Sequence, residues 1–180
     1  MRVLIDACVL YPTVMREVVL GVAETGVFQV RWSDRILEEW ARAARKIGPE
    51  GEVIARGEIS LLSSRFADAV VPQHGGLEAR LWLPDPADVH VLAAAIAGSC
   101  DTILTMNAKD FPRNILEEEG LSRCDPDGFL RDLLADHPDL VRPVAERVLA
   151  EARRLSGSDW TMRALMKKAR LPRFGKALTA

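Results

Sequence analysis

The sequence predicts an α/β fold in which a parallel sheet lies between helices, followed by an all-helical extension. Two observations predict it. Up to residue 124, short β-type runs alternate with longer segments of helical periodicity, the order that builds parallel sheets covered on both faces. From Asp125 onward every segment carries helical periodicity. A soft boundary near residue 124 therefore divides the chain into residues 1–124 and a helical extension, 125–180.

The first strand candidate, RVLI at 2–5, is apolar and stops at Asp6. VFQVRW at 27–32, a shorter run from Ala69 to Val71, and TILT at 102–105 complete the set. The clearest helix is DRILEEWARAARKI at 34–47. Its Ile36, Leu37, Trp40, Ala43, Ala44 and Ile47 form one apolar stripe, and Ser33 stands ready as N-cap. Another helix starts at Asp85-Pro86-Ala87-Asp88, with Asp85 as N-cap and Pro86 at the first helical position, ahead of the apolar run VLAAAIA. The same Asp-Pro start recurs at Asp125-Pro126. The tail then divides into helices over 126–136, 139–155 and 160–171, punctuated by Pro138, the SGS at 156–158 and Pro172. Residues 72–86, PQHGGLEARLWLPDP, hold too much Pro and Gly for a regular element and predict a long loop on the rim of the sheet.

With 180 residues and 48% hydrophobic content, the chain can bury a full-sized core. A net charge of −2 excludes a global basic field, so contact with nucleic acid requires a local patch. Three cysteines, Cys8, Cys100 and Cys124, are odd in number and lack CxxC spacing, which argues against both a disulfide framework and a structural zinc site. No apolar stretch approaches the eighteen or so residues that span a bilayer. A soluble cytoplasmic protein is expected.

An apolar strand that ends on a carboxylate raises the question of what compensates it, since a buried unpaired charge is among the costliest features of a fold. In open α/β sheets the chemistry gathers at the carboxyl ends of the strands, where the strand order reverses. Asp6 lies at such an end, and so do Asn107 and Asp110, because TILT runs directly into MNAKDF. If those two strands are neighbours, these side chains face one crevice. On the 34–47 helix Glu38 points away from the apolar stripe, whereas Glu39 lies at its edge and can reach inward. Asp88 stands in the first turn of its helix, where free amides favour a carboxylate. Each residue has an ordinary explanation alone: Asp6 as a turn residue, Glu38 and Glu39 as a solvated face, Asp88 as an early-helix acid. Gathered together, unit charges ~4 Å apart would repel by about 4 kcal/mol per pair at an effective dielectric of 20. A divalent cation removes that penalty, and a set of hard oxygen donors selects Mg²⁺ or Mn²⁺ over zinc.

LIDACVL at the N-terminus, ILEEW after the second strand, and DPADVHVLAAAIAGSCDTILTMNAKDFP further on, in that order and separation, resemble the PIN-domain ribonucleases, most closely the VapC-type toxins of prokaryotic toxin–antitoxin pairs. The resemblance covers residues 1 to about 124. It implies a three-layer α/β/α fold and an acidic quartet that holds Mg²⁺ or Mn²⁺ for hydrolysis of RNA. Asp6, Glu39 and Asp88 fall on the first three acids of that pattern. Either Asn107 or Asp110 completes it, because Asn107 stands where many members have Asp. Thr105 matches a small polar position near the metal. The resemblance also implies an antitoxin partner and a homodimer. The tail is similar to an extension found in a subset of these toxins, without a role attached.

The expected activity is thus metal-assisted phosphodiester hydrolysis, with Asp6, Glu39, Asp88 and Asp110 as catalytic carboxylates. Cys8 has no histidine spaced to activate it and is expected to be a small buried residue. His74 and His90 could support the metal ligands or contact substrate, although one histidine in a loop and one on a helix are more often incidental, and Gly75-Gly76 is expected to permit a turn. A phosphotransferase of the haloacid-dehalogenase type also begins strand–Asp, but needs a second Asp where Cys8 stands. The non-catalytic alternative is a PIN module of weak activity that serves as an RNA- or protein-binding scaffold, which the neutral Asn107 keeps open.

Overall fold

The computed structural model describes residues 1–180. In chain order it begins with β1 (Arg2–Ile5), α1 (Ala7–Leu10), α2 (Thr13–Ala23) and β2 (Gln29–Arg31). Next come α3 (Asp34–Ala43), α4 (Gly51–Arg65), α5 (Gly75–Glu78) and α6 (Val89–Ala97). Then follow β3 (Thr102–Leu104), α7 (Arg113–Glu118), β4 (Ser122–Cys124) and α8 (Pro126–Asp136). The chain closes with α9 (Pro138–Ser156), α10 (Met162–Lys168) and α11 (Pro172–Ala177).

These elements form two compact units. The first comprises residues 1–11 and 29–124, the second residues 12–28 and 125–180. In the first, four parallel strands lie in the order β2-β1-β3-β4. Val3 pairs with Val30 on one side and with Thr102 on the other. The chain leaves β1 for β2 on one side and later returns to β3 on the other, so the order reverses between β1 and β3. Val3, Leu4, Ile5, Ile103 and Leu104 are wholly buried, as a sheet covered on both faces requires. Helices surround it, with α6 packed on β1 and β3 and α3 packed on α1 and α4.

Local signals act as expected at several starts. The Ser33 hydroxyl accepts from the Ile36 amide at 3.3 Å and opens α3. Asp85 accepts from the Ala87 amide at 2.9 Å and opens a single 3₁₀ turn, Pro86–Asp88, that leads into α6. Asp125 accepts from the Gly128 amide at 2.9 Å and opens α8 at Pro126. The expected 34–47 helix is α only to Ala43 and tightens to a 3₁₀ turn over Ala44–Ile47, because the polar Arg45 and Lys46 and the Gly48 turn take it to the surface. The run at 69–71 is reduced to one bridge, Trp32 to Val70. The rim loop contains the short α5.

In the second unit, α2 packs on α8 and α9. It buries Met15, Val18, Val19, Leu20 and Val22. A Cβ at Gly21 would meet a Val144 methyl at 2.7 Å, so the close approach of α2 to α9 depends on glycine there. The buried Asp127 carboxylate accepts from the amides of Arg173 and Phe174 at 3.0 and 2.8 Å and ties the start of α8 to α11. Phe28 meets Phe129 edge to face, with centroids 5.1 Å apart. No helix of the chain is long and apolar enough to cross a membrane.

Candidate active site

The sheet order places Asp6 where theory puts a site, at the carboxyl end of β1 beside the carboxyl end of β3. Its amide donates to Leu104 O at 3.1 Å, which locks it to the neighbouring strand. The side chain is 4% exposed. Its Oδ2 accepts the Thr105 hydroxyl at 2.6 Å and the Cys8 thiol at 3.1 Å. Thr105 Oγ1 in turn accepts from the Asn107 amide at 3.0 Å, and Cys8 Sγ from the Met106 amide at 3.3 Å. Asp6 is thus held in one orientation by residues from both strand exits. Burial, and then the adjacent Asp6 charge, push the Cys8 thiol up to about 12, so Cys8 remains a protonated donor and is no nucleophile at neutral pH. No motif or spacing signals that Cys8 bonds to Asp6.

The two glutamates of α3 face different neighbours. Glu38 is taken up by Arg42 at 2.9 Å and Arg56 at 2.8 Å, and hydrogen bonds from Arg56 and then Arg42 hold its carboxyl at about 2. Glu39 lies 2.7 Å from His90 Nε2, with Arg35 further off at 3.9 Å. His90 is almost wholly buried in the first turns of α6, and neither ring nitrogen has a well-aligned hydrogen-bond partner. Its approach to Glu39 is therefore close but out of line. Of the two readings open for His90, the structure places its ring next to Glu39. An open hollow of about 500 Å³ beside Glu39 is lined by Asp34, Arg35, Glu38, Glu39, Arg42 and Gln73.

Asp88 ends the 3₁₀ turn and opens α6 without a side-chain capping bond. A helix N-terminus should lower its pKa. Instead its carboxyl is pushed up to about 6, first by burial and then by the charges of Asp6, Asp85, Asp110 and Glu39. Carboxylates from the end of β1, from α3 and from the loop after β3 thus act on one group at the mouth of α6. Asp110 is half-buried, and its amide donates to Asn107 O at 3.0 Å in a turn that carries both residues. Asn107 itself is exposed.

Asp6, Glu39 and Asp110 are therefore each within electrostatic reach of Asp88, but no three His, Cys, Asp or Glu side chains converge tightly enough to form a metal cage. The oxygen donors offered by these residues suit a hard divalent cation, which keeps part of its water shell and needs few protein ligands.

The family model described as "PIN domain" matches residues 2–109. No curated protein and no solved structure matches the chain. PIN domains are generally nucleases that bind RNA and use divalent metal ions. The matched span carries all four strand ends but β4's, with Asp6, Glu39, Asp88 and Asn107, and stops one residue short of Asp110. On that match, together with the parallel sheet and the acids at its reversal point, the chain belongs to the PIN-domain family.

Proposed function

We propose that this protein is a metal-dependent endoribonuclease that hydrolyses RNA phosphodiester bonds with Asp6, Glu39, Asp88 and Asp110, and that it is the cytoplasmic toxin of a toxin–antitoxin pair. The observation that carries the nuclease reading is the pressure on Asp88, which three of the other expected ligands exert at once from separate segments. The toxin role, an antitoxin partner and a homodimer rest on the resemblance of the LIDACVL and 85–112 motifs. Residues 1–124 would form the nuclease domain and 125–180 its helical extension.

In this reading Asp6 is the fixed ligand, oriented by Thr105 and Cys8. Glu39 is backed by His90, Asp88 lies at the open mouth of α6, and the Asn107–Asp110 turn supplies the last oxygen. Mg²⁺ or Mn²⁺ held there would activate water and neutralise charge on the leaving oxygen. The residues themselves align the scissile phosphate between β1 and β3, and no protein nucleophile takes part.

The test is cleavage of labelled RNA in Mg²⁺ by the parent and by Asp6→Asn, with circular dichroism to confirm folding. The variant should lose at least ~100-fold, the upper end of what loss of a supporting contact to a metal ligand costs. Equal rates would overturn the reading. A parent that binds RNA and never cleaves it would establish the scaffold alternative instead. Growth arrest on expression alone, relieved by the neighbouring small gene, tests the toxin role.

A further inference from the structure

Residues 160–180 contain Arg163, Lys167, Lys168, Arg170, Arg173 and Lys176 and no Asp or Glu. Removing these six cations from a net charge of −2 leaves −8 on the other 159 residues. We propose that α10, α11 and the turn between them form an RNA-binding face that grips the phosphate backbone of single-stranded RNA without reading its sequence. The proposal rests on the ribonuclease reading only for the identity of the polyanion.

α10 buries Leu165 and Met166 and, just beyond its end, Ala169. Arg163 and Lys167 are exposed one turn apart on α10, and the exposed Arg170 follows in the turn beyond its end, with a φ of 62°. α11 crosses close by: a Cβ at Gly175 would come 2.7 Å from Met166 Cβ and 3.7 Å from Arg163 Cα. The exposed Lys176 follows that crossing directly, so both short helices contribute to one positive face. Trp160, partly exposed, is fixed beside it. Its indole N–H donates to Ser156 Oγ at 3.2 Å, its carbonyl accepts from Arg153 Nε at 2.8 Å, and Lys168 Nζ stands 4.9 Å from its ring centroid.

A solvated helix face would ordinarily match such cations with acids. Several cations elsewhere are matched in this way, among them Arg42 with Glu38, Arg80 with Glu119 and Arg154 with Glu151. Of the six cations in residues 160–180 only Arg173 is matched, by Asp125 and Asp127. Arg163, Lys167, Lys168, Arg170 and Lys176 form no ion pair. Unmatched cations on a segment that also holds an aromatic ring, here with Lys168 against Trp160, are the combination that binds single-stranded nucleic acid, by phosphate neutralisation and base stacking. The need is plain as well, because a body of charge −8 with an acidic site repels RNA at every distance the salt does not screen.

The experiment is fluorescence anisotropy of a fluorescein-labelled single-stranded RNA of about 20 nucleotides with the full chain in EDTA, titrated over a range of NaCl, so that binding is read without cleavage. Engagement of the five cations without an ion pair predicts a slope of log K against log salt of about −3.5, at ~0.7 per phosphate for single strands. Arg163→Glu with Lys167→Glu should flatten the slope by ~1.4 and weaken binding at low salt by ~10-fold or more, while the charge-removing pair Arg163→Gln with Lys167→Gln flattens it equally. Lys46→Glu, an exposed unpaired cation of the first unit, should leave the slope unchanged. Equal slopes for parent and double variants, an equal loss in Lys46→Glu, or equal binding of a poly-glutamate peptide would each overturn the proposal, the last in favour of an acidic protein partner. Binding that persists in a protein unable to cleave would sink the nuclease reading and leave this face standing.

Discussion

Replacing Asp88 by Asn should stabilise the metal-free protein near neutral pH and leave it unchanged in acid. The Asp88 carboxyl rises from 3.8 to about 6 in the folded chain. The folded state therefore holds a proton more readily than the unfolded one, so the stability linked to this group is present below 3.8 and is lost as pH rises through about 6. Two pKa units correspond to about 3 kcal/mol, and solvent screening at a partly open carboxylate reduces this to about 1 kcal/mol. The amide carries no charge and gives up no capping bond, since Asp88 makes none. For a chain of this size ~1 kcal/mol shifts Tm by ~2–4 °C. Differential scanning fluorimetry in EDTA should show that rise at about pH 7.5 and only a small part of it at about pH 4. Mn²⁺ added near neutral pH should raise the Tm of the parent, because a ligand bound only by the native state stabilises it, and should raise that of Asp88→Asn less. A variant that melts lower than the parent at neutral pH, or that gains equally at both pH values, would refute the electrostatic reasoning.

Two further substitutions probe the contacts that fix the site and the second unit. Thr105→Val removes the hydroxyl that donates to the buried Asp6 and accepts from the Asn107 amide; chemical denaturation should show a loss of about 1–3 kcal/mol that Thr105→Ser largely restores. Asp127→Ala leaves the Arg173 and Phe174 amides without their acceptor and should cost about 2–4 kcal/mol, whereas Arg173→Ala removes only a half-exposed partner and should cost under ~1 kcal/mol.

The parts of this fold legible in the sequence are those with a strong local cause. RVLI and TILT are dense apolar runs, and each carries a polar exit, so their pairing at the reversal point could be anticipated from two strands alone. The Asp-Pro starts at 85 and 125 work through a side-chain cap and a fixed φ. Helical geometry separates the neighbours of the two glutamates, Arg42 and Arg56 for Glu38 and His90 for Glu39, but not their depth, since the side chains are 33% and 38% exposed. What stayed hidden depends on distant partners. SRC at 122–124 is too short and polar to read as β4, and exists because β3 offers it an edge. α4 buries only Gly51, Ala55 and Leu62, too sparse a stripe to give a period. His90 looked like one more residue of an apolar helix, and its position behind Glu39 arises from the packing of separate segments.

The second unit joins two pieces of chain far apart in sequence, 12–28 and 125–180. During synthesis α2 leaves the ribosome about a hundred residues before α8 and α9, an interval of ~5–20 s at ordinary elongation rates. For that time its valines and leucines have no permanent cover. A nascent chain stalled between the two pieces should be a strong client for a holdase, and a gene cut after residue 124 should yield a product that precipitates for want of α8 and α9, whatever the soundness of its sheet.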